Sequence, residues 1–131
     1  MSDEPVVVDA SALLAFLFDE NGADVIRPLL NRTAVSTVNW SEVCQRLLER
    51  EGDPRVEREQ LVESGLRFEP LSEQDAMRAA RLRASTRKLG LSLADRCCLA
   101  LAARLERPLL TADRAWADVD AGVDVRLIRG D

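Results

Sequence analysis

Four acidic side chains stand where an apolar run gives way to a helix, and together they could hold a cation. Asp9 follows Val6-Val7-Val8, and Asp113 follows the apolar run at residues 108–111. Glu42 falls in the expected first turn of the helix after Ala34-Val35-Ser36, and Asp95 in that of a helix opened by Ser92. Each acid alone has an ordinary structural role, because helix starts favour carboxylates. Ser92-Leu93-Ala94-Asp95 fits a capping box, and Asn39-Trp40-Ser41-Glu42 is a looser version of it. Asp113 suits an N-cap, and Asp9 suits a turn. As a group they are harder to explain. Two carboxylates ~5 Å apart repel by roughly 3 kcal/mol at an effective dielectric of 20. Without compensation some would stay protonated near neutral pH. A hard divalent cation removes the conflict, and oxygen-only ligands suit Mg2+ or Mn2+. Such a cation binds phosphate oxygens and lowers the pKa of bound water, which is the logic of metal-assisted phosphodiester hydrolysis.

The elements that must position these acids alternate along the chain. Strands are expected at residues 6–8, 34–36, 66–71, 108–111 and 123–128. Helices are expected at about 11–20, from there to about 30 after the Asn21-Gly22 interruption, at 40–50, from Asp53-Pro54 to near Gly65, at 72–88, and at 92–105. A short helix follows Asp113. Asp53-Pro54 pairs an N-cap with Pro at the first helical position. Strands alternating with helices imply a parallel sheet covered on both faces. The expected fold is therefore α/β, a three-layer α/β/α sandwich around a central parallel sheet of about five strands. Sites in such sheets form beyond the C-terminal strand ends, where these acids lie. With no repeat, low-complexity tract or linker, residues 1–131 read as one domain.

Composition excludes much other chemistry. The 131 residues include no His, so a Ser-His-Asp or Cys-His nucleophile and His-containing zinc or haem sites are impossible. Cys44, Cys97 and Cys98 lack metal-ligand spacing and read as small buried residues with free thiols, as in a reducing cytoplasm. No Gly-rich phosphate loop is present. The net charge of -5 argues against a generally basic nucleic-acid binder, so nucleic acid must be met by a local patch or a bound cation. The acidic start Met1-Ser2-Asp3-Glu4-Pro5 does not read as a signal peptide, and no apolar run approaches the ~20 residues of a membrane span. A cytoplasmic protein with no membrane contact is expected. The terminal Arg129-Gly130-Asp131 reads as a chain end.

Four stretches, in this order, resemble the motifs of PIN-domain proteins: Val6-Val7-Val8-Asp9-Ala10-Ser11-Ala12-Leu13, Asn39-Trp40-Ser41-Glu42-Val43, Leu91-Ser92-Leu93-Ala94-Asp95 and Leu110-Thr111-Ala112-Asp113-Arg114. The nearest subgroup is the VapC-type toxin of bacterial toxin–antitoxin pairs. The resemblance implies a PIN-like fold and a Mg2+-dependent endoribonuclease, with Mn2+ as an alternative ion. It makes Asp9 and Asp95 the main metal ligands, with Asp113 and Glu42 completing the catalytic cluster through a second metal or bound waters. Ser11 and Thr111 take the small hydroxyl positions that orient ligands or phosphate. Trp116 stands where many relatives carry Phe, which reads as a packing change. The implied reaction is hydrolysis of RNA by metal-activated water, with Glu42 or Asp113 placing that water or taking its proton. Its products carry 5′-phosphate and 3′-hydroxyl ends. The resemblance also implies a homodimer and a cognate VapB-type antitoxin.

Other stretches keep two readings. Arg78, Arg81, Ser85 and Lys88 share a helical face, with Arg83 and Arg87 beside it, and suit either an RNA backbone or solvent. Leu13, Leu14, Phe16, Leu17, Phe18, Val25, Ile26, Leu29 and Leu30 offer more apolar surface than one stripe needs. They suit tight core packing or a groove for an antitoxin segment. Asp118 reads as a solvated acid rather than a fifth site acid. The alternative to an enzyme is a noncatalytic PIN-fold module that binds RNA or antitoxin. An aspartyl-phosphate enzyme is disfavoured, because Asp9-Ala10-Ser11 lacks a second Asp and no Lys follows the late strands.

Overall fold

The computed structural model describes residues 4–129, so Gly130 and Asp131 of the terminal tripeptide, and Met1-Ser2-Asp3, lie outside the described residues. Five strands form one wholly parallel sheet: β1 (Val6–Val8), β2 (Thr33–Ser36), β3 (Arg67–Glu69), β4 (Leu109–Thr111) and β5 (Val125–Leu127). Their spatial order is β3-β2-β1-β4-β5. The chain builds outward from β1 in one direction and then, after β3, returns to β1's other side. The order therefore reverses between β1 and β4, where open α/β sheets part to form a crevice. The helices are α1 (Ala10–Leu17), α2 (Ala23–Ile26), α3 (Thr37–Glu49), α4 (Pro54–Glu63), α5 (Glu73–Arg81), α6 (Arg83–Thr86) and α7 (Leu93–Leu105), with 3-10 turns at Arg27–Arg32, Arg87–Leu89 and Arg114–Asp118. The expected α/β/α sandwich is what forms.

The three central strands β1, β2 and β4 are short and buried on both sides, whereas the edge strands β3 and β5 are partly exposed and carry charged residues. Successive side chains alternate faces. Val6 and Val8 join Leu13, Ile26, Val35, Val43, Leu61 and Leu110 in one core. Val7 joins Ala34, Cys98, Leu99, Leu101, Leu109 and Trp116 in the other. Burial of each such Val or Leu side chain stabilises by ~1.5–3 kcal/mol. Helix α7 seals the second face, and α5 packs on it through Ala79, Cys97 and Ala100. Cys97 and Cys98 are buried and Cys44 half-buried, all as free thiols. Burial pushes the Cys98 thiol well up, which suppresses the reactive thiolate. Trp116 is 1% exposed, as a packing residue should be.

Caps decide most boundaries, and one of them corrects an expectation. Ser36 accepts from the Val38 N–H, so α3 starts at Thr37 rather than near Trp40. The β-branched Thr37 and Val38 favour strand, but the cap overrides them. The second helix also breaks early. Pro28 falls at the start of a 3-10 turn, which replaces helix after Ile26. The long helix expected at 72–88 is likewise three pieces, interrupted at Leu82 and after Thr86. Other signals hold: Asp53 caps α4, Ser72 caps α5, and Gly90 closes the 3-10 turn at Arg87–Leu89 with φ 71°.

Among the nine apolar residues of the first two helices and the turn after them, Leu13 and Ile26 are fully buried and Leu30 nearly so. Leu14, Phe16, Leu17, Phe18 and Leu29 pack on the same core from its rim, and only Val25 is largely exposed. Arg27 covers the Phe16 ring and Arg50 the Phe18 ring. Among the described residues no helix is long and apolar enough to cross a membrane.

Candidate metal centre

Asp9 leaves the C-terminal end of β1 at the reversal point and caps α1, its Oδ1 accepting from the Ala12 N–H at 2.8 Å. It is 4% exposed. Thr111, at the end of the neighbouring β4, donates its hydroxyl to Asp9 Oδ2 at 2.6 Å. Ser11 Oγ lies 2.8 and 3.0 Å from the two carboxylate oxygens. The same two hydroxyls also accept: Ser11 Oγ from the Ala112 N–H and Thr111 Oγ1 from the Asp113 N–H. They thus lock the loop after β4 onto the carboxylate of β1. The small hydroxyl positions hold Asp9 and the backbone that carries Asp113. Burial nevertheless dominates, and it pushes the Asp9 carboxyl up to about 6 against those bonds, with the charge of Asp95 adding to the rise.

The other three acids arrive from different elements. Ser92 and Asp95 form a reciprocal capping box, Asp95 Oδ2 accepting from the Ser92 N–H at 2.9 Å. Asp113 caps the 3-10 turn through Oδ1, at 2.9 Å from the Ala115 nitrogen. Glu42 stands in the second turn of α3 rather than in its first, so the Asn39–Glu42 stretch is no cap. Instead the Asn39 amide donates to Glu42 Oε1 at 3.0 Å and to the Ala94 carbonyl at 3.2 Å. Asn39 is fully buried and ties α3 to the start of α7. In sequence the spacing of Asn39 three before Glu42 reads as a loose cap; within one helix it instead sets the amide against the carboxylate.

All four acids line one cavity of about 320 Å3, with Ser11 and Arg46 among the other residues of its wall. Arg46 is not among the expected site residues. Its Nε lies 3.4 Å from a Glu49 carboxylate oxygen. Thr111 lies behind Asp9, fully buried, and supports the wall from within. Ser11 and Asp113 also face an adjoining cavity of about 640 Å3 that carries Arg114 and Arg129. Asp118 is exposed and lines neither space.

The donor set suits a hard cation. It is all oxygen, and one carboxylate is deeply buried without a cationic partner of its own. For Asp95, Asp113 and Glu42, the cap or the Asn39 bond occupies one carboxylate oxygen. Among the described residues, no three acids are grouped tightly enough to hold an ion as they stand.

Comparison with known proteins follows this geometry. The PIN domain family model matches residues 6–122. A toxin–antitoxin complex from Klebsiella pneumoniae aligns at TM-score 0.72 with 20% identity, over 94% of this chain and 97% of that one. DNA-bound VapBC from Salmonella typhimurium aligns at 0.68 with 14% identity, over 95% and 98%. VapBC-5 from Mycobacterium tuberculosis, of the VapBC family of toxin–antitoxin systems, aligns at 0.61 with 25% identity, over 97% and 99%. No curated protein matches. With a family model spanning most of the sequence and the acids converging at the sheet's reversal point, the chain belongs to the PIN domain family.

Proposed function

We propose that this chain is a metal-dependent endoribonuclease, the VapC-type toxin of a toxin–antitoxin pair. The observation that carries the reading is the convergence of Asp9, Glu42, Asp95 and Asp113 on one cavity with Asp9 buried. Asp9, Asp95 and Asp113 would hold Mg2+ or Mn2+. A bound ion of this kind supplies Lewis-acid polarisation of a phosphodiester and an acidified water. Ser11 and Thr111 fix the Asp9 carboxylate, so its oxygens face the cavity in one orientation. Glu42, steadied by Asn39 through Oε1, is placed to orient a water or accept its proton. Arg46 on the same wall supplies positive charge toward a phosphate. The expected products carry 5′-phosphate and 3′-hydroxyl ends.

An antitoxin partner is part of this reading, because the solved structures that align include toxin–antitoxin complexes. A groove of about 270 Å3 runs between Phe16, Leu17 and Arg27 and the α4 residues Glu57, Gln60 and Ser64, and would take a partner segment carrying both apolar and polar groups. The test is cleavage of total cellular RNA by purified chain with Mg2+ or with EDTA, beside Asp9→Asn. Discrete fragments that require both metal and Asp9 support the reading. Absence of cleavage under any divalent metal, from folded protein freed of partner, would assign the chain to a noncatalytic RNA- or antitoxin-binding module. A 2′,3′-cyclic phosphate end would exclude water as the nucleophile.

A further inference from the structure

From residue 76 to residue 94 the sequence carries five cations, Arg78, Arg81, Arg83, Arg87 and Lys88, and no acid, in a chain of net charge -5. All five are exposed, and none has an ion pair among the described residues. Elsewhere the arginines are largely engaged: Arg27, Arg46, Arg55, Arg67, Arg104 and Arg126 all have carboxylate partners. The free cations occupy α5, α6 and the 3-10 turn after them, and that turn runs through Gly90 into the capping box that fixes Asp95. At its other end the row opens into a cavity of about 800 Å3, where Arg78 and Arg81 meet Arg107. That cavity lies at the opposite end of the sheet from the acids, beside Pro108 and Asp124, which precede β4 and β5. Two of its acids, Glu4 and Asp124, are both held by Arg126, which leaves Glu106 against three guanidinium groups.

We propose that the exposed cations at residues 78–88, with Arg107, form a track for the sugar–phosphate backbone of single-stranded RNA leading to the acid cluster. The proposal rests on the ribonuclease reading for its ligand and deepens it by saying where the strand lies. Guanidinium forks match phosphate oxygens, and a local unpaired row is what lets an acidic protein hold a polyanion. No aromatic side chain occurs between residues 76 and 94, so the track grips backbone without stacking bases. Discrimination between RNA sequences must then arise at the cavity of the acids.

The test is fluorescence anisotropy of a labelled single-stranded RNA with full-length chain in EDTA, across a salt series. Wild type is compared with Arg81→Glu/Arg87→Glu, the milder Arg81→Gln/Arg87→Gln, and Arg55→Glu as a control on another face. Circular dichroism checks that each is folded. The Glu pair should weaken binding at least ~10-fold at low salt, and the Gln pair less. The Glu pair should also flatten the log–log salt slope by about 1.4, for two contacts at ~0.7 each. Arg55→Glu should match wild type. Equal affinity and slope in the Glu pair, no RNA binding by wild type, or an equal loss in Arg55→Glu would each overturn the track. Cleavage is read separately: Mg2+-dependent cleavage with unaltered RNA affinity sinks the track alone, whereas Arg-dependent binding without cleavage sinks the nuclease alone.

Discussion

Replacing Asp9 with Asn isolates the electrostatic penalty built into the acid cluster. Burial raises the Asp9 carboxyl from 3.8 to about 6. A carboxyl that holds its proton more tightly when folded than when unfolded makes the protein less stable as pH rises. Its favourable contribution is whole below 3.8, declines through the window up to about 6, and is gone above it. The gap, 6 − 3.8 = 2.2 pH units, is worth about 3 kcal/mol at ~1.36 kcal/mol per unit. Of this, roughly 2.4 kcal/mol falls between pH 4 and 7.5. The assay is urea unfolding of wild type and Asp9→Asn in EDTA at half-unit pH steps. Wild type should lose that amount relative to the variant across the span. Carboxylates not coupled to Asp9 titrate alike in both proteins and drop out of the difference. The Asn oxygen can still accept from the Ala12 N–H, and any constant cost of the swap leaves the slope untouched. Saturating Mg2+ should shrink the pH-dependent gap, because the ionised form then gains a partner. A difference flat with pH in EDTA would refute the reasoning. A difference of opposite sign would mean that the Thr111, Ala12 and Ser11 bonds outweigh burial.

Three further substitutions probe the supports of the centre and the fold. Thr111→Val removes the strongest bond to the Asp9 carboxylate and should move its midpoint above about 6. The shift is read from the pH profile of Thr111→Val against Thr111→Val/Asp9→Asn, and an unmoved midpoint would count against it. Ser92→Ala breaks the capping box at α7 and should cost ~1 kcal/mol of stability, measured by urea midpoint; no loss would mean that the cap is energetically idle. Gly65→Ala forces a side chain into φ +97° with its Cβ 2.8 Å from Asn31 Cα, and should destabilise by at least ~2 kcal/mol. An alanine variant as stable as wild type would show that this turn yields easily.

The layering and the sheet were legible because their signals are local. Val6-Val7-Val8 is apolar at every position, which only a strand covered on both faces requires, and Asp53-Pro54 and Ser92 to Asp95 announce their caps in four residues or fewer. The four acids were legible as a set because each follows or opens an element at the strands' C-terminal side. What the chain alone hid was tertiary. The start of α3 turned on a single Ser36 bond against two β-branched residues, and that moved Glu42 a turn along its helix. Asn39 acquires its role only when the Ala94 carbonyl, 55 residues later, comes within reach. The split of the long helix at Leu82 follows no Gly or Pro, and nothing in the local sequence marks it.

The bonds from Thr111 to Asp9 and from Ser11 to Thr111 close loops of 102 and 100 residues. They are among the most sequence-distant contacts in the chain, and contacts of that kind form late. During synthesis, β1, β2 and β3 can associate while β4 is still inside the ribosome's exit tunnel, because domains build from the N-terminus as it emerges. Asp9 would then hang from an open sheet edge without its hydroxyl clamp, and Asp113 would not yet be present. A nascent chain therefore has no complete acid cluster until β4 and Asp113 have emerged. The strand order thus defers assembly of the acid cluster until β4 joins the sheet, well after β1, β2 and β3 can associate.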